Sequence, residues 1–407
     1  MTKKRLILIA LLGAAVLALA GVVVAQSTSL TPKENLGKML FFDTNLSNPP
    51  GQACAFCHAP EVGFTGPISH VNATGSVYPG AVSTLFGNRK PPAAAYAFGP
   101  LLHYDTVDEV WVGGTFWDGR AAGWRLGDPL AEQALGPFLN PVEQNMASPV
   151  DVCLAVQAST YAGLFEEVWG PGSLDCMSGV AATYEKIGRS ISAYERSTEV
   201  NPFTSKYDYY LAGMANLTGK EKQGLRLFEG KGKCALCHIS TPGPDGTPPM
   251  FTDFTFDNLG VPRNPANPFY TMPPWVNPDG AAFTDYGLGA FLAGAGYVPE
   301  VYEPNLGKQK VPTLRNVALK PDKSFVKAYA HNGYFKSLQS IVHFYNTRDV
   351  LPTCDMHSNP KEGLNCWPHA EVPMNVNTDE LGNLGLKPQE EDAIVGFLKT
   401  LSDGYLP

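Results

Sequence analysis

Apolar residues fall at helical spacing in a few short segments, separated by long stretches with no period. The first 25 residues differ from the rest. Lys3-Lys4-Arg5 precedes a continuous apolar run from Leu6 to Val24, then Ala25-Gln26, the form of a secretory signal peptide over 1–25. The run is long enough that an uncleaved membrane anchor is the alternative. Thr31-Pro32-Lys33-Glu34 is a capping box with proline at the first helical position. It predicts a helix through Leu36, Met39 and Leu40 that stops before Asp43-Thr44-Asn45. Thr218-Gly219-Lys220-Glu221 repeats the box ahead of Leu225, Leu227 and Phe228. Between them, Ala181–Ser197 sets Ala181, Tyr184, Ile187, Ile191 and Tyr194 on one helical face. Leu338–Tyr345 reads as another helix, and Lys387-Pro388-Gln389-Glu390 opens a last one with Ala393, Ile394, Phe397, Leu398 and Leu401 apolar. Ser240 to Leu306, rich in Gly, Pro, Asn and aromatics, predicts an irregular loop of the length at which loops are functional or form packed lids. Gly287-Leu288-Gly289 within it lacks the preceding strand and third glycine of a nucleotide loop.

Each capping box leads into the same chemistry. The first helix is followed by Cys54-Ala55-Phe56-Cys57-His58 and the second by Cys234-Ala235-Leu236-Cys237-His238. Two thiols three residues apart with a histidine after the second form the attachment pattern of c-type haem. Both thiols add to the vinyl groups of one porphyrin, and the imidazole is held beneath the ring as an iron ligand. A zinc half-site would need further ligands at matching spacing, and a thiol redox pair does not need the histidine. The order of cap, apolar helix, turn and motif occurs twice, which is an internal duplication of one small unit. It predicts a mainly α fold of two cytochrome c-like haem domains with long irregular loops, 26–205 and 206–407, with the boundary near Asn201–Asp208.

Composition narrows the picture. A chain of 407 residues accommodates two cores, and 41 Gly with 35 Pro argue for helices set in much irregular structure. Loss of the leader with Lys3, Lys4 and Arg5 takes the net charge from −8 to −11. An acidic chain is a poor nucleic-acid binder and suits a basic redox partner. The haem motifs use four of eight cysteines. In an oxidising compartment the other four form two disulfides, with three connectivities open. The short-loop pairing Cys153–Cys176 and Cys354–Cys366 is favoured. Haem attachment outside the cytoplasm agrees with export, so the expected location is the periplasm, membrane-tethered or cell-surface associated only if the leader stays.

Taken in order, Leu36-Gly37-Lys38-Met39-Leu40-Phe41-Phe42-Asp43, the first haem motif, Phe116-Trp117-Asp118-Gly119-Arg120, Gln133 through Glu143, the second haem motif, Val311-Pro312-Thr313-Leu314-Arg315-Asn316 and His331-Asn332-Gly333 resemble the bacterial dihaem cytochrome c peroxidase and MauG superfamily. The resemblance implies two haem c groups facing each other across a domain interface, the first meeting hydrogen peroxide and the second passing electrons. It makes His58 and His238 axial ligands, and it sets Glu143 above the first iron with Gln133 and Pro137 lining the same pocket. Trp117 would lie between the haems. Fourteen residues after His331, where peroxidases carry methionine and the MauG branch tyrosine, stands Tyr345. The alternative ligands are Met356 and Met374, with Tyr345 then a core aromatic. His70 is a candidate block on the first iron, though its spacing suits an ordinary loop histidine better.

Two departures from the family pattern matter. Lys90, in Arg89-Lys90-Pro91-Pro92, stands where the family has an asparagine that helps bind calcium between the domains. The stretch between Asn316 and His331 is lengthened by Lys320-Pro321-Asp322-Lys323-Ser324-Phe325, which removes another partner of that site. Calcium is therefore doubtful unless Asn88 substitutes. Gly232 and Lys233 replace the tryptophan through which MauG oxidises a partner protein, leaving Trp275 as a candidate exit. The expected activity is a dihaem peroxidase drawing on a small redox protein. The alternatives are MauG-like oxidation of residues such as Trp in a protein substrate, and a non-catalytic dihaem electron carrier.

Overall fold

The computed structural model describes residues 29–407, so the leader lies outside the described residues. Both predicted capping boxes form. In the helix Pro32–Phe42, Glu34 N–H donates to Thr31 Oγ1 (3.3 Å) and Thr31 N–H to the Glu34 carboxylate (2.7 Å). In Gly219–Glu229, Glu221 N–H donates to Thr218 Oγ1 (3.3 Å) and Thr218 N–H to Glu221 (2.6 Å).

Each of these helices crosses a later one at very close range. Pro32–Phe42 packs on Val180–Glu195, and Gly219–Glu229 on Pro388–Leu398. A Cβ on Gly37 would overlap the Ser190 carbonyl oxygen, and one on Gly224 the Ala393 carbonyl oxygen. Only glycine lets the two backbones meet at those crossings. Apolar residues on the facing stripes close two separate cores. The first gathers Leu36, Leu40, Phe41, Phe138, Ile187 and Tyr194, with members running from Leu36 to Val200. The second gathers Phe228, Phe251, Ile394 and Phe397, with members running from Tyr207 to Leu401.

The two halves are clamped together. The buried Arg315 guanidinium lies over Phe203 and Tyr96 (4.4 and 4.9 Å to the ring centres) and holds both Asp208 oxygens at 2.9 and 3.0 Å. The Asp403 carboxylate accepts from Tyr96 Oη, Thr204 N–H and Asn316 Nδ2. Disulfides join Cys153 to Cys176 and Cys354 to Cys366, the short-loop pairing.

The stretch Ser240–Leu306 is less irregular than its composition predicts. Gly287–Gly294 is a helix whose Leu288 and Leu292 are buried against Leu102, Trp111 and Phe256. Glycine disfavours helix locally, and burial of that apolar side overrides it. Two antiparallel ribbons also form, His103–Asp105 with Val110–Val112 and Phe256–Asp257 with Gln309–Lys310. The first turns at an Asx motif, in which Asp105 Oδ1 accepts from Val107 and Asp108 N–H. Among the described residues, no helix is long and apolar enough to cross a membrane.

Candidate active site

The two Cys-x-x-Cys-His motifs adopt nearly the same shape. Cys54–Cys57 is one helical turn and Cys234–Leu236 a 3-10 turn, and in each the histidine N–H bonds back to the first cysteine carbonyl (3.0 and 2.9 Å). His58 Nδ1 faces the Phe64 carbonyl at 3.2 Å, and His238 Nδ1 faces the Phe251 carbonyl at 2.8 Å. A carbonyl can only accept, so Nδ1 carries the proton and Nε2 keeps a free lone pair for a metal. Burial favours the neutral rings, pulling His58 down to about 4 and His238 in the same direction.

None of the four motif cysteines is in a disulfide, while the other four are paired. Burial pushes the Cys54 thiol up to about 12, the opposite of what a reactive redox pair needs. Neither motif gathers a zinc set. Among the described residues the one metal-capable cluster is Cys237 with Asp257 and Glu380, which has a single thiol.

Each motif opens onto a cavity. The first, about 1100 Å³ with open solvent included, is lined by Cys54, Cys57, His58, Trp117, Gln133, Pro137 and Glu143. The second, about 1690 Å³, is lined by Cys234, Cys237, His238 and Tyr345, and again by Trp117. Buried polar atoms without a hydrogen-bond partner border both: Gln52 Oε1, Gln144 Oε1 and Glu195 Oε2 at the first, and Gln309 and His331 Nε2 at the second. Such atoms are expected where a polar-edged group normally sits. Free thiol pairs, metal-ready imidazoles and apolar walls with orphaned polar atoms fit a covalently held haem in each cavity.

Gln133 and Pro137 sit four residues apart on the helix Pro129–Leu139, hence on one face. The chain then turns at Asn140, whose carbonyl accepts from Glu143 N–H (3.0 Å) and whose Nδ2 donates to Glu143 Oε2 (2.9 Å). Asn140 therefore aims the Glu143 carboxylate. Burial raises the Glu143 pKa, against the nearby Arg120 charge and the Asn140 hydrogen bond. The lengthened segment before Gln133 is organised by Glu132, whose carboxylate accepts from the N–H groups of Gly123, Arg125 and Leu126. A third cavity, about 1090 Å³, shares His58, Gln133, Pro137 and Glu143 with the first and is also lined by Trp275, which is 65% exposed.

Trp117 lies on the border of the first two cavities, with Nε1 donating to the Lys90 carbonyl at 2.8 Å. Its ring meets His331 edge-on, centres 6.4 Å apart. Tyr345 is half-buried on the wall of the second cavity, and desolvation there raises its phenol pKa. Met356 and Met374 are 74% and 45% exposed and line neither cavity. His70 is exposed on the short helix Ser69–Ala73, not in a loop, and stands away from both cavities. Gly232 and Lys233 line the second cavity. Lys90 is buried, and Asn88 offers its backbone carbonyl to Asn267 Nδ2. Lys310, not singled out from the sequence, borders both cavities, its N–H on the Trp117 carbonyl (2.7 Å) and its Nζ on the Gly113 and Phe254 carbonyls.

Paired cavities of this kind, each with a Cys-x-x-Cys-His turn and sharing a wall that includes Trp117 and Lys310, define a c-type dihaem oxidoreductase. A profile of the di-haem cytochrome c peroxidase family matches residues 31–216. Methylamine utilization protein MauG of Paracoccus denitrificans is 33% identical over 372 residues, 90% of this chain and 88% of that protein. Cytochrome c551 peroxidase of Nitrosomonas europaea is 28% identical over 354 residues, covering 83% and 84%. The diheme peroxidase BthA from Burkholderia thailandensis superposes with a TM-score of 0.72 at 30% identity, over 91% of this chain and 86% of that one. The chain belongs to the dihaem cytochrome c peroxidase and MauG family. It is accordingly an oxidoreductase acting on peroxide and carries two haem c groups, which sets aside the non-catalytic carrier.

Proposed function

We propose that the first cavity is the peroxidatic centre and the second the electron-transfer centre, in haem units 26–205 and 206–407. Supporting this division, the two main cores draw on residues up to Val200 and from Tyr207 onward. Cys54, Cys57 and His58 would hold the first haem, and Cys234, Cys237, His238 and Tyr345 the second. When bound, the haems would supply iron that exchanges electrons with peroxide, at potentials tuned by the residues that hold each one. Reduction of one peroxide consumes two electrons and two protons and releases two waters.

The chain's own part is to move those protons and conduct those electrons. Glu143 accepts a proton from the incoming peroxide at its carboxylate and returns it to the departing oxygen, while Asn140 fixes the Oε2 side. Gln133 orients the substrate by hydrogen bonding, and Pro137, with no N–H, keeps that wall apolar. The third cavity is the entry route. Trp117 couples the two centres. Electrons come from a small redox protein donor in the periplasm, reached after removal of the leader.

The observation that carries the reading is the convergence of Glu143, Gln133 and Pro137 on the cavity of the first thiol pair, with Trp117 shared by both cavities. Stopped-flow mixing of the diferric enzyme with peroxide tests it. The wild type is expected to react without prior reduction and Glu143→Gln to react far more slowly; equal rates would contradict the assignment. A second reading, oxidation of a protein substrate, is favoured by the exposed Trp275 on the third cavity and by the likeness to MauG. Peroxide-dependent mass change in a co-secreted partner protein, lost in Trp275→Phe, would select it.

A further inference from the structure

Two buried lysines meet at the contact between the halves. Lys90 Nζ donates to Thr65 Oγ1 (3.1 Å) and the Pro91 carbonyl (2.9 Å). Lys327 Nζ donates to the carbonyls of Val62 (2.8 Å), Asn316 (2.7 Å) and Leu319 (3.0 Å). Both are 8% exposed and both border the second cavity. Lys327 belongs to the lengthened segment after Asn316. That segment is anchored on the other half of the chain: Phe325 is buried with Ala59 and Val62, Val326 N–H donates to Ser69 Oγ, and Asn72 Nδ2 donates to the Val326 carbonyl. The halves touch tightly at this point, since a Cβ on Gly63 would lie 2.6 Å from Asn316 Cβ.

Burial alone would push both amines toward neutrality, Lys90 to about 8 and Lys327 further, with Lys90 adding repulsion. The acceptor count decides for Lys327. Three carbonyl oxygens require three N–H donors, and only the ammonium has three. No carboxylate bonds to either amine among the described residues, so a calcium ion would find carbonyls already occupied and the fixed Lys327 ammonium beside it. Calcium takes six to eight oxygens at about 2.3–2.6 Å. These residues do not fit it.

We propose that Lys90 and Lys327 form a built-in cation site that replaces a divalent ion at the interface and positions Trp117. The two amines between them satisfy oxygens from both halves, the Lys327 ammonium on Val62, Asn316 and Leu319 and Lys90 on Thr65 and Pro91. Lys90 is tied at both ends, its Nζ to Thr65 and its carbonyl to the Trp117 indole N–H, so fixing the ammonium fixes the tryptophan between the cavities. Lys90 and Lys327 are positioning residues and touch no reacting atom.

Metal analysis of the purified dihaem holoenzyme, with peroxide turnover measured before and after chelation, gives the first test. The expected result is no stoichiometric calcium and no loss of turnover, and a chelator-labile stoichiometric calcium would overturn the proposal. Lys90→Met and Lys327→Met give the second, read as kcat and KM separately and as the rate of electron transfer between the haems. Since a misplacement of about 1 Å can cost about 100-fold, kcat and the interhaem rate should fall on the order of tenfold or more, with KM for peroxide unchanged and no rescue by calcium. An unchanged interhaem rate in both variants would overturn the positioning role. A variant that fails to fold leaves the metal analysis standing, and failure of the wild type to turn over peroxide would instead refute the functional reading above.

Discussion

The two cavities share a scaffold and differ in what faces the histidine. Each has a capped helix, a glycine crossing, a thiol pair on one turn, and an imidazole whose Nδ1 is held by a phenylalanine carbonyl. Around the first stand a carboxylate, an amide and a proline, and a third cavity with an exposed tryptophan adjoins it. Within the second stands a half-buried phenol. One duplicated holder is therefore lined by two different sets of side chains. What distinguishes them comes from segments outside the repeat, Pro129–Leu139 with its following turn for the first and Leu338–Thr347 for the second.

Removing one holder should have the largest effect. Cys54→Ser with Cys57→Ser should leave one covalent haem by mass spectrometry and abolish peroxide turnover. The matching pair at Cys234 and Cys237 should leave the first haem attached and still reactive with peroxide, but without electron delivery. If both double variants lose turnover at the peroxide step, the two centres are not divided as described. Next comes Glu143→Gln, expected to lower kcat/KM for peroxide by about 10²–10⁴, the range of general acid–base catalysis. Burial raises the Glu143 pKa, so the acidic limb of the pH profile should lie above the ordinary carboxylate range, because the ionised form is the proton acceptor. That limb should vanish in the variant.

The shared part of the scaffold predicts matched losses. Gly37→Ala and Gly224→Ala each force a methyl into a carbonyl oxygen of the crossing helix. Each should cost about 1–3 kcal/mol by denaturant unfolding, as overpacking does. A large loss in one and none in the other would mean that the crossings are not equivalent. Thr31→Ala and Thr218→Ala should be mildest, about 1 kcal/mol each for a lost cap.

Much of this was legible because the signals are local. A capping box, a Cys-x-x-Cys-His turn and a terminal amphipathic helix are each read from neighbouring residues, and all formed as expected. Trp117, Gln133, Pro137 and Glu143 were found through family spacing, and they converge in space although 26 positions separate the first from the last. The rest depends on distant partners. Gly37 and Gly224 matter only because Ser190 and Ala393 arrive opposite them. Asn140 carries no signal of its own in the sequence, and its role appears only where its amide meets Glu143. Lys327 follows the residues that lengthen the stretch after Asn316 and carries no signal of its own there, since its role needs carbonyls from Val62 and Asn316. The helix Gly287–Gly294 was hidden by its glycines, and only the pocket formed by Leu102, Trp111 and Phe256 makes it worth folding.

Electron paramagnetic resonance of the resting diferric holoenzyme tests the contrast between the two cavities most directly. An open first iron beside Glu143 and a closed second one predict a high-spin ferric signal together with a low-spin one. Two low-spin signals and no high-spin component would mean that both irons are sealed, and the contrast would not stand.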